Sequence, residues 1–214
     1  MVQGSVLGRL LFVLFIDDLD LWVQLLCLIF KFADDTKLTK CIKDSRDAQE
    51  LQCALDKAIE WANTWQMTFN VAKCKVIHFG KDNPRTIYTM GGSNLESIAV
   101  ERDLGILIHE SLKPSVHCAT AVKKANMVLG QIRRTFTFSD REILVRLHKM
   151  FVRPHLEYAV QAWCPWTEHD VDLLESVQRR AVRMISGLSG TYEEKLQELG
   201  LMSLKDRRIR GGCG

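Results

Sequence analysis

Two pairs of adjacent aspartates stand early in the chain, Asp17-Asp18 and Asp34-Asp35. Neighbouring carboxylates repel each other, and a divalent cation relieves that repulsion. Mg(II) is a hard ion that takes oxygen ligands, often one or two carboxylates together with substrate phosphates. Two ions held in this way can activate a 3′-hydroxyl and stabilise a leaving pyrophosphate. Asp34-Asp35 is placed for such chemistry, because it ends one short apolar run and precedes an alternating segment. A plain acidic turn is the other reading of the dipeptide, since turns are rich in Asp. Asp17-Asp18 instead follows an apolar helix, whose C-terminal end disfavours acids. It reads as a solvated helix end without metal.

The elements that must position these residues follow from periodicity. Ser5–Leu19 has helical length. Leu25–Ala33 and Lys37–Ile42 read as strands joined by an acidic turn, so the two carboxylates sit at a hairpin tip. Asp44–Trp65 is the clearest helix, capped by Asp44 or Ser45. Its Ala48, Leu51, Ala54, Leu55, Ala58, Ile59, Ala62 and Trp65 recur every three or four residues as one apolar stripe. Gly80, Asn83-Pro84 and Gly91-Gly92 punctuate short strands over Cys74–Phe79, Arg85–Met90, Asn94–Val100 and Leu104–Ile108. Helical spacing then predicts Ser115–Phe136, Asp140–Val152 ending near Pro154, Asp170–Leu188 and Tyr192–Leu199. Lys123 and Arg134 share the polar face of the first of these. The fold class expected is α+β, with the change of pattern near Ile108–Ser115.

Composition removes several alternatives. With 47% apolar and 26% charged residues in 214, the chain is neither disordered nor of low complexity. Seven cysteines, an odd count without a C-x-x-C pair, do not make a disulfide framework. No disulfide partner is expected, and a reducing, intracellular compartment (nuclear or cytoplasmic, not secreted) is. Cys164-Pro165 after His155 and Glu157 has the wrong order and lacks the second Cys of a deaminase zinc site. Asp17, Asp18 and Asp20 separate two apolar runs, and each acid at a bilayer centre costs roughly 2.5–3.5 kcal/mol. No membrane span is therefore expected. Charge is uneven, about −3 over residues 1–110 and +6 over 111–214, and a basic half suits a polyanionic partner. The basic cluster Lys205–Arg210 reads as a tail or a nuclear address.

Four motifs in order make the pattern more specific. Gln3-Gly4-Ser5-Val6-Leu7-Gly8 resembles the Gln-Gly-Ser motif of reverse transcriptases. Phe32-Ala33-Asp34-Asp35 resembles their aromatic-x-Asp-Asp box. Phe69-Asn70-Val71-Ala72-Lys73-Cys74 is similar to the next family motif, an Asn followed by x-x-Lys. Asp103-Leu104-Gly105 resembles the Leu-Gly core of the primer-grip hairpin. Downstream, Val152-Arg153-Pro154-His155-Leu156-Glu157-Tyr158 and Gln178-Arg179-Arg180-Ala181 resemble the region after the palm in non-LTR (LINE-type) retrotransposons of the chicken-repeat and jockey kind.

The resemblance implies RNA-directed DNA synthesis with Mg(II), Mn(II) being possible, and with RNA template, DNA primer and deoxynucleoside triphosphates as partners. It implies a partial palm of helix plus antiparallel strands at 1–110. A helical thumb-like and C-terminal region would follow at 111–214. Asp34 and Asp35 would lie by the catalytic metals, and Lys73 near the nucleotide phosphates. Gln3, Gly4, Ser5, Phe32 and Ala33 would line the nucleotide and template site. Leu104 and Gly105 would seat the primer end, and Lys123, Lys124, Arg133 and Arg134 would hold the nucleic-acid backbone. Val2 and Arg9 stand where the family usually has Pro. The family's first catalytic Asp lies upstream of its Gln-Gly-Ser motif, so a truncated polymerase fragment, inactive alone, is expected. The alternative is a non-catalytic remnant that binds RNA or RNA–DNA duplex.

Overall fold

The computed structural model describes residues 6–136 and 140–212. Contacts divide the chain into two units, Met1–Ala99 and Val100–Gly214, and each has its own core. Helices and strands are mixed, as an α+β chain requires.

The first unit begins with α1 (Val6–Ile16) and α2 (Leu19–Val23). The single helix expected over Ser5–Leu19 is therefore interrupted at Asp17-Asp18. A hairpin follows, β1 (Leu28–Phe32) and β2 (Asp35–Thr39), and then α3 (Ser45–Thr64). The Asp44 side chain accepts from the backbone N–H groups of Arg46 at 2.9 Å and Asp47 at 3.0 Å, while the Asp47 carboxylate accepts from Asp44 N–H. This reciprocal cap satisfies amides that the first turn of a helix leaves without partners.

The remaining strands of this unit are shorter than expected. They are β3 (Lys75–Val76), β4 (Thr89–Met90), β5 (Ser93–Asn94) and β6 (Glu96–Ser97), pairing as β3 with β6 and β4 with β5. Their backbone partners come partly from elsewhere. The Gln52 carboxamide on α3 accepts from Thr89 N–H and donates to Thr89 C=O, both at 2.9 Å, where a longer ladder would have run.

The second unit opens with the antiparallel hairpin β7 (Val100–Asp103) and β8 (Ile106–His109). Leu104–Ile108 was expected as one strand, but Leu104 and Gly105 form the turn. The hairpin belongs to this unit because Leu107 N–H donates to His117 Nδ1 at 3.1 Å and Ile106 joins the helical core. The division thus falls before the hairpin, ahead of residue 110.

Helices make up the rest: α4 (Ser115–Thr135), α5 (Arg141–Leu147), a π-helical turn at His148–Val152, α6 (Arg153–Glu157), α7 (Val160–Trp163), α8 (Glu168–Arg183), α9 (Tyr192–Glu198) and α10 (Leu204–Arg210). Pro154 does not end the helical run, because it falls in the first turn of α6, where its missing N–H has no bond to make. The Lys205–Arg210 cluster is helical, with Leu204 and Arg208 buried. One contiguous core runs through Cys118, Ala125, Leu129, Val152, Leu156, Leu174, Val177 and Leu204.

Among the described residues, no helix is long and apolar enough to cross a membrane. None of the six described cysteines is in a disulfide.

Candidate active site

The β1–β2 hairpin pairs Phe32 with Asp35, Lys31 with Thr36 and Phe30 with Lys37. Ala33-Asp34 is thus a two-residue turn, with Ala33 in the left-handed region at φ +52°. A residue with a Cβ holds that conformation at a cost of roughly 1 kcal/mol. Side chains alternate along each strand. Ile29 and Leu38 enter the apolar clusters shared with α2 and α3, whereas Phe30, Phe32 and Asp35 lie on the other, open face. Lys31 Nζ anchors the hairpin, donating to the carbonyls of Ile16 at 3.0 Å and Asp17 at 3.1 Å and pairing with Asp20 at 2.7 Å.

Phe32, Ala33, Asp34 and Asp35 therefore share one tip, as the strand–turn–strand reading expected, and all four are exposed. Among the described residues, no hydrogen bond or ion pair engages either carboxylate. Two adjacent, unengaged carboxylates are a donor set that suits a hard cation. No third His, Cys, Asp or Glu joins them in a metal-sized cluster among the described residues.

Asp17-Asp18 behaves differently from a solvated helix end. Asp18 accepts the indole N–H of Trp61 at 2.7 Å and of Trp65 at 2.9 Å, so it ties the end of α1 to α3. Phe15 packs edge-on against both indoles. Nothing in the spacing of the sequence announced this link.

The other expected site residues are spread along the chain. Gln3, Gly4 and Ser5, with Val2 and the side chain of Arg9, lie outside the described residues. Lys73 is exposed on a 3-10 turn, Val71–Lys73. Leu104 and Gly105 belong to the second unit, at the tip of its hairpin. Both are left-handed, at φ +45° and φ +90°. Tyr158 Oη donates to the Leu104 carbonyl at 3.0 Å.

Lys123, Lys124, Arg133 and Arg134 all lie exposed on α4, whose opposite face buries Ala121, Ala125, Leu129 and Ile132. Lys123 and Arg134 stand about 16 Å apart along one stripe of that helix. Arg133 and Arg134 also complement the negative end of the helix dipole.

A sequence profile of the reverse transcriptase (RNA-dependent DNA polymerase) family matches residues 1–132. The chain is 30% identical over 204 residues to the RNA-directed DNA polymerase from mobile element jockey of Drosophila funebris. It is 25% identical over 205 residues to the probable RNA-directed DNA polymerase from transposon X-element of Drosophila melanogaster. A Drosophila melanogaster jockey polymerase is 25% identical over 198 residues. Each alignment covers 86% of this chain and 21% of the relative, so the chain spans about a fifth of the length of the curated relatives it matches. No solved structure gives a significant match. With the family profile spanning more than half of its residues and its relatives drawn from non-LTR retrotransposons, the chain belongs to the reverse transcriptase (RNA-dependent DNA polymerase) family.

Proposed function

We propose that the chain is a fragment of an RNA-directed DNA polymerase, with residues 1–110 as part of the palm and 111–214 as a thumb-like helical region. The observation that carries this reading is the exposed Asp34-Asp35 pair at an antiparallel hairpin tip, within the stretch the family profile matches. Asp34 and Asp35 would hold Mg(II), or Mn(II) in its place. Bound divalent cations supply Lewis-acid activation of a primer 3′-hydroxyl and neutralise charge on the pyrophosphate. Phe32 and Ala33, with Gln3, Gly4 and Ser5, would line the nucleotide and template site. Lys73 would donate a proton near the departing phosphates. Leu104 and Gly105 would seat the primer end, and the α4 cations would hold the duplex backbone. The substrates would be an RNA template, a DNA primer and deoxynucleoside triphosphates, all met inside the cell.

Two carboxylates define a metal site less firmly than three. Polymerisation by this chain alone should therefore be weak until another group supplies an oxygen ligand. The test is Mn(II) binding, followed by paramagnetic resonance, together with extension of a DNA primer on a homopolymer RNA. Replacing both acids, Asp34→Asn with Asp35→Asn, should weaken Mn(II) binding at least about tenfold, as loss of both charged oxygen donors requires. It should also abolish any extension. An unchanged Mn(II) titration, or extension that survives the double substitution, overturns the reading.

A second reading, duplex binding without catalysis, is favoured by the exposed stripe on α4. Phosphate contacts by Lys123 and Arg134 alone give a slope of about −2 in log affinity against log salt, and about −4 where Lys124 and Arg133 join from the flanks. A flat response removes it.

A further inference from the structure

The motif that ends in Glu157-Tyr158 has no role in the reading above, yet the structure joins it to the turn at Leu104-Gly105. Besides its hydrogen bond to the Leu104 carbonyl, the Tyr158 ring lies so close to Gly105 that a Cβ there would stand 3.2 Å from its Cε1. Glycine at 105 thus serves two needs, the left-handed backbone and the approach of the ring.

Tyr158 is itself held in place. Its carbonyl accepts the Trp163 indole N–H at 2.8 Å. Ala159 follows in a left-handed conformation, φ +49°, which turns the chain from α6 into α7. Glu157 takes the Arg207 guanidinium through both oxygens, at 2.5 Å and 3.0 Å, with Arg153 at 3.6 Å. From the other side, His117 receives the Leu107 amide while its ring packs on Trp163 at 4.6 Å. The hairpin is bracketed at its tip by Tyr158 and along β8 by His117. Tyr158 is 57% exposed and Leu104 44%, so the contact fixes a surface turn and does not fill a core.

We propose that Tyr158 is a positioning residue that sets the orientation of the Leu104–Gly105 peptide where that turn seats the primer 3′ end. The proposal rests on the primer-contact reading of Leu104 and Gly105. A carbonyl engaged by the tyrosine hydroxyl keeps its peptide plane from rotating. The direction of the Gly105 N–H follows from that plane.

The test uses the whole chain and an RNA template annealed to a DNA primer with 2-aminopurine at its 3′ terminus. Fluorescence of that base reads primer-end placement, and anisotropy of a dye at the far end of the duplex reads overall affinity. Tyr158→Phe removes only the hydroxyl. It should reduce the docked primer-end signal about fivefold, the equivalent of one neutral hydrogen bond, with duplex affinity unchanged. A fall in affinity that matches the fall in signal would mark Tyr158 as merely structural and overturn the proposal. A signal that responds to Leu104→Ala but not to Tyr158→Phe overturns it too, and leaves the primer-contact reading standing. A signal that responds to neither, or no duplex binding by the unaltered chain, overturns both.

Discussion

The two units solve the same packing problem with different means. The second unit buries one continuous core, drawn from every helix from α4 to α10 and from the π-helical turn. The first buries two small clusters, one around Leu19 and Trp61 and one around Val23 and Ala54. It leaves large apolar side chains in the open along α1 and β1, among them Leu10, Leu14, Phe30 and Phe32, while Leu25 beyond α2 is 91% exposed. A face of that kind favours association or aggregation when nothing covers it. The unit that carries the Asp34-Asp35 tip has little packing of its own and relies on polar ties, whereas the helical unit carries its stability inside.

The largest expected effect tests that division directly. Leu174 is fully buried on α8, at the centre of the second core. Leu174→Ala should destabilise that unit by about 2–5 kcal/mol, the lost transfer energy plus the cavity left behind. Amide hydrogen exchange should show protection falling in α4 and α8 and unchanged in α3. Equal losses in both units would mean that the chain unfolds as one body, and the contrast drawn above would be wrong.

Acid should separate the units next. His148 is buried at the start of the π-helical turn, and neither ring nitrogen finds a hydrogen-bond partner among the described residues. Burial pushes its pKa from 6.5 down to about 4, Arg153 and Lys149 push the same way, and Glu157 opposes them. The unfolded chain therefore binds this proton more readily than the folded one. Stability from this group is complete above pH 6.5, falls as pH drops through the window, and is lost below about 4. The total is about 3 kcal/mol.

In the first unit, Asp47 and Glu50 are held below their usual values of 3.8 and 4.5. The chief causes are a hydrogen bond from the Lys43 backbone amide for Asp47 and one from the Lys40 side chain for Glu50. Their contributions are present above those values and are lost only as pH falls below them. Urea midpoints between pH 7 and 4.5 should therefore drop for the second unit first. His148→Met should flatten that drop, and a drop that persists would assign it to another group.

How much was legible beforehand depended on the kind of signal. Periodicity over many residues was decisive, so α3 and α4 fell close to where the apolar stripes placed them, while α8 began near Asp170 as expected but ended at Arg183, short of Leu188. The Asp34-Asp35 hairpin was legible because strand, turn and strand each leave a local mark. Short strands were not: β3 to β6 are two residues each, and β4 is bonded at Thr89 by Gln52, a side chain on α3. The roles of Tyr158 and Asp18 were equally hidden, because each bonds a partner more than forty residues away. Pro154 misled for a related reason. A proline stops a helix only where its N–H is needed, and the π-helical turn before it shifts that requirement.

The smallest effect concerns the pair that the sequence marked as idle. Asp18 sits where α1 ends, and its two oxygens take the indole N–H groups of Trp61 and Trp65. Trp61 is almost fully buried, so Asp18→Ala would strand its N–H away from water. A buried donor left without a partner costs about 1–3 kcal/mol. Asp18→Asn keeps a carbonyl acceptor and should lose less, because one of the two indoles retains its bond. In a unit with two small clusters, a loss of that size should be visible as weaker near-ultraviolet dichroism and an earlier urea midpoint. The second unit's transition should stay where it was. Should Asp18→Ala match the unaltered chain, the aspartate would be a solvated helix end after all, and the first unit would owe nothing to this tie.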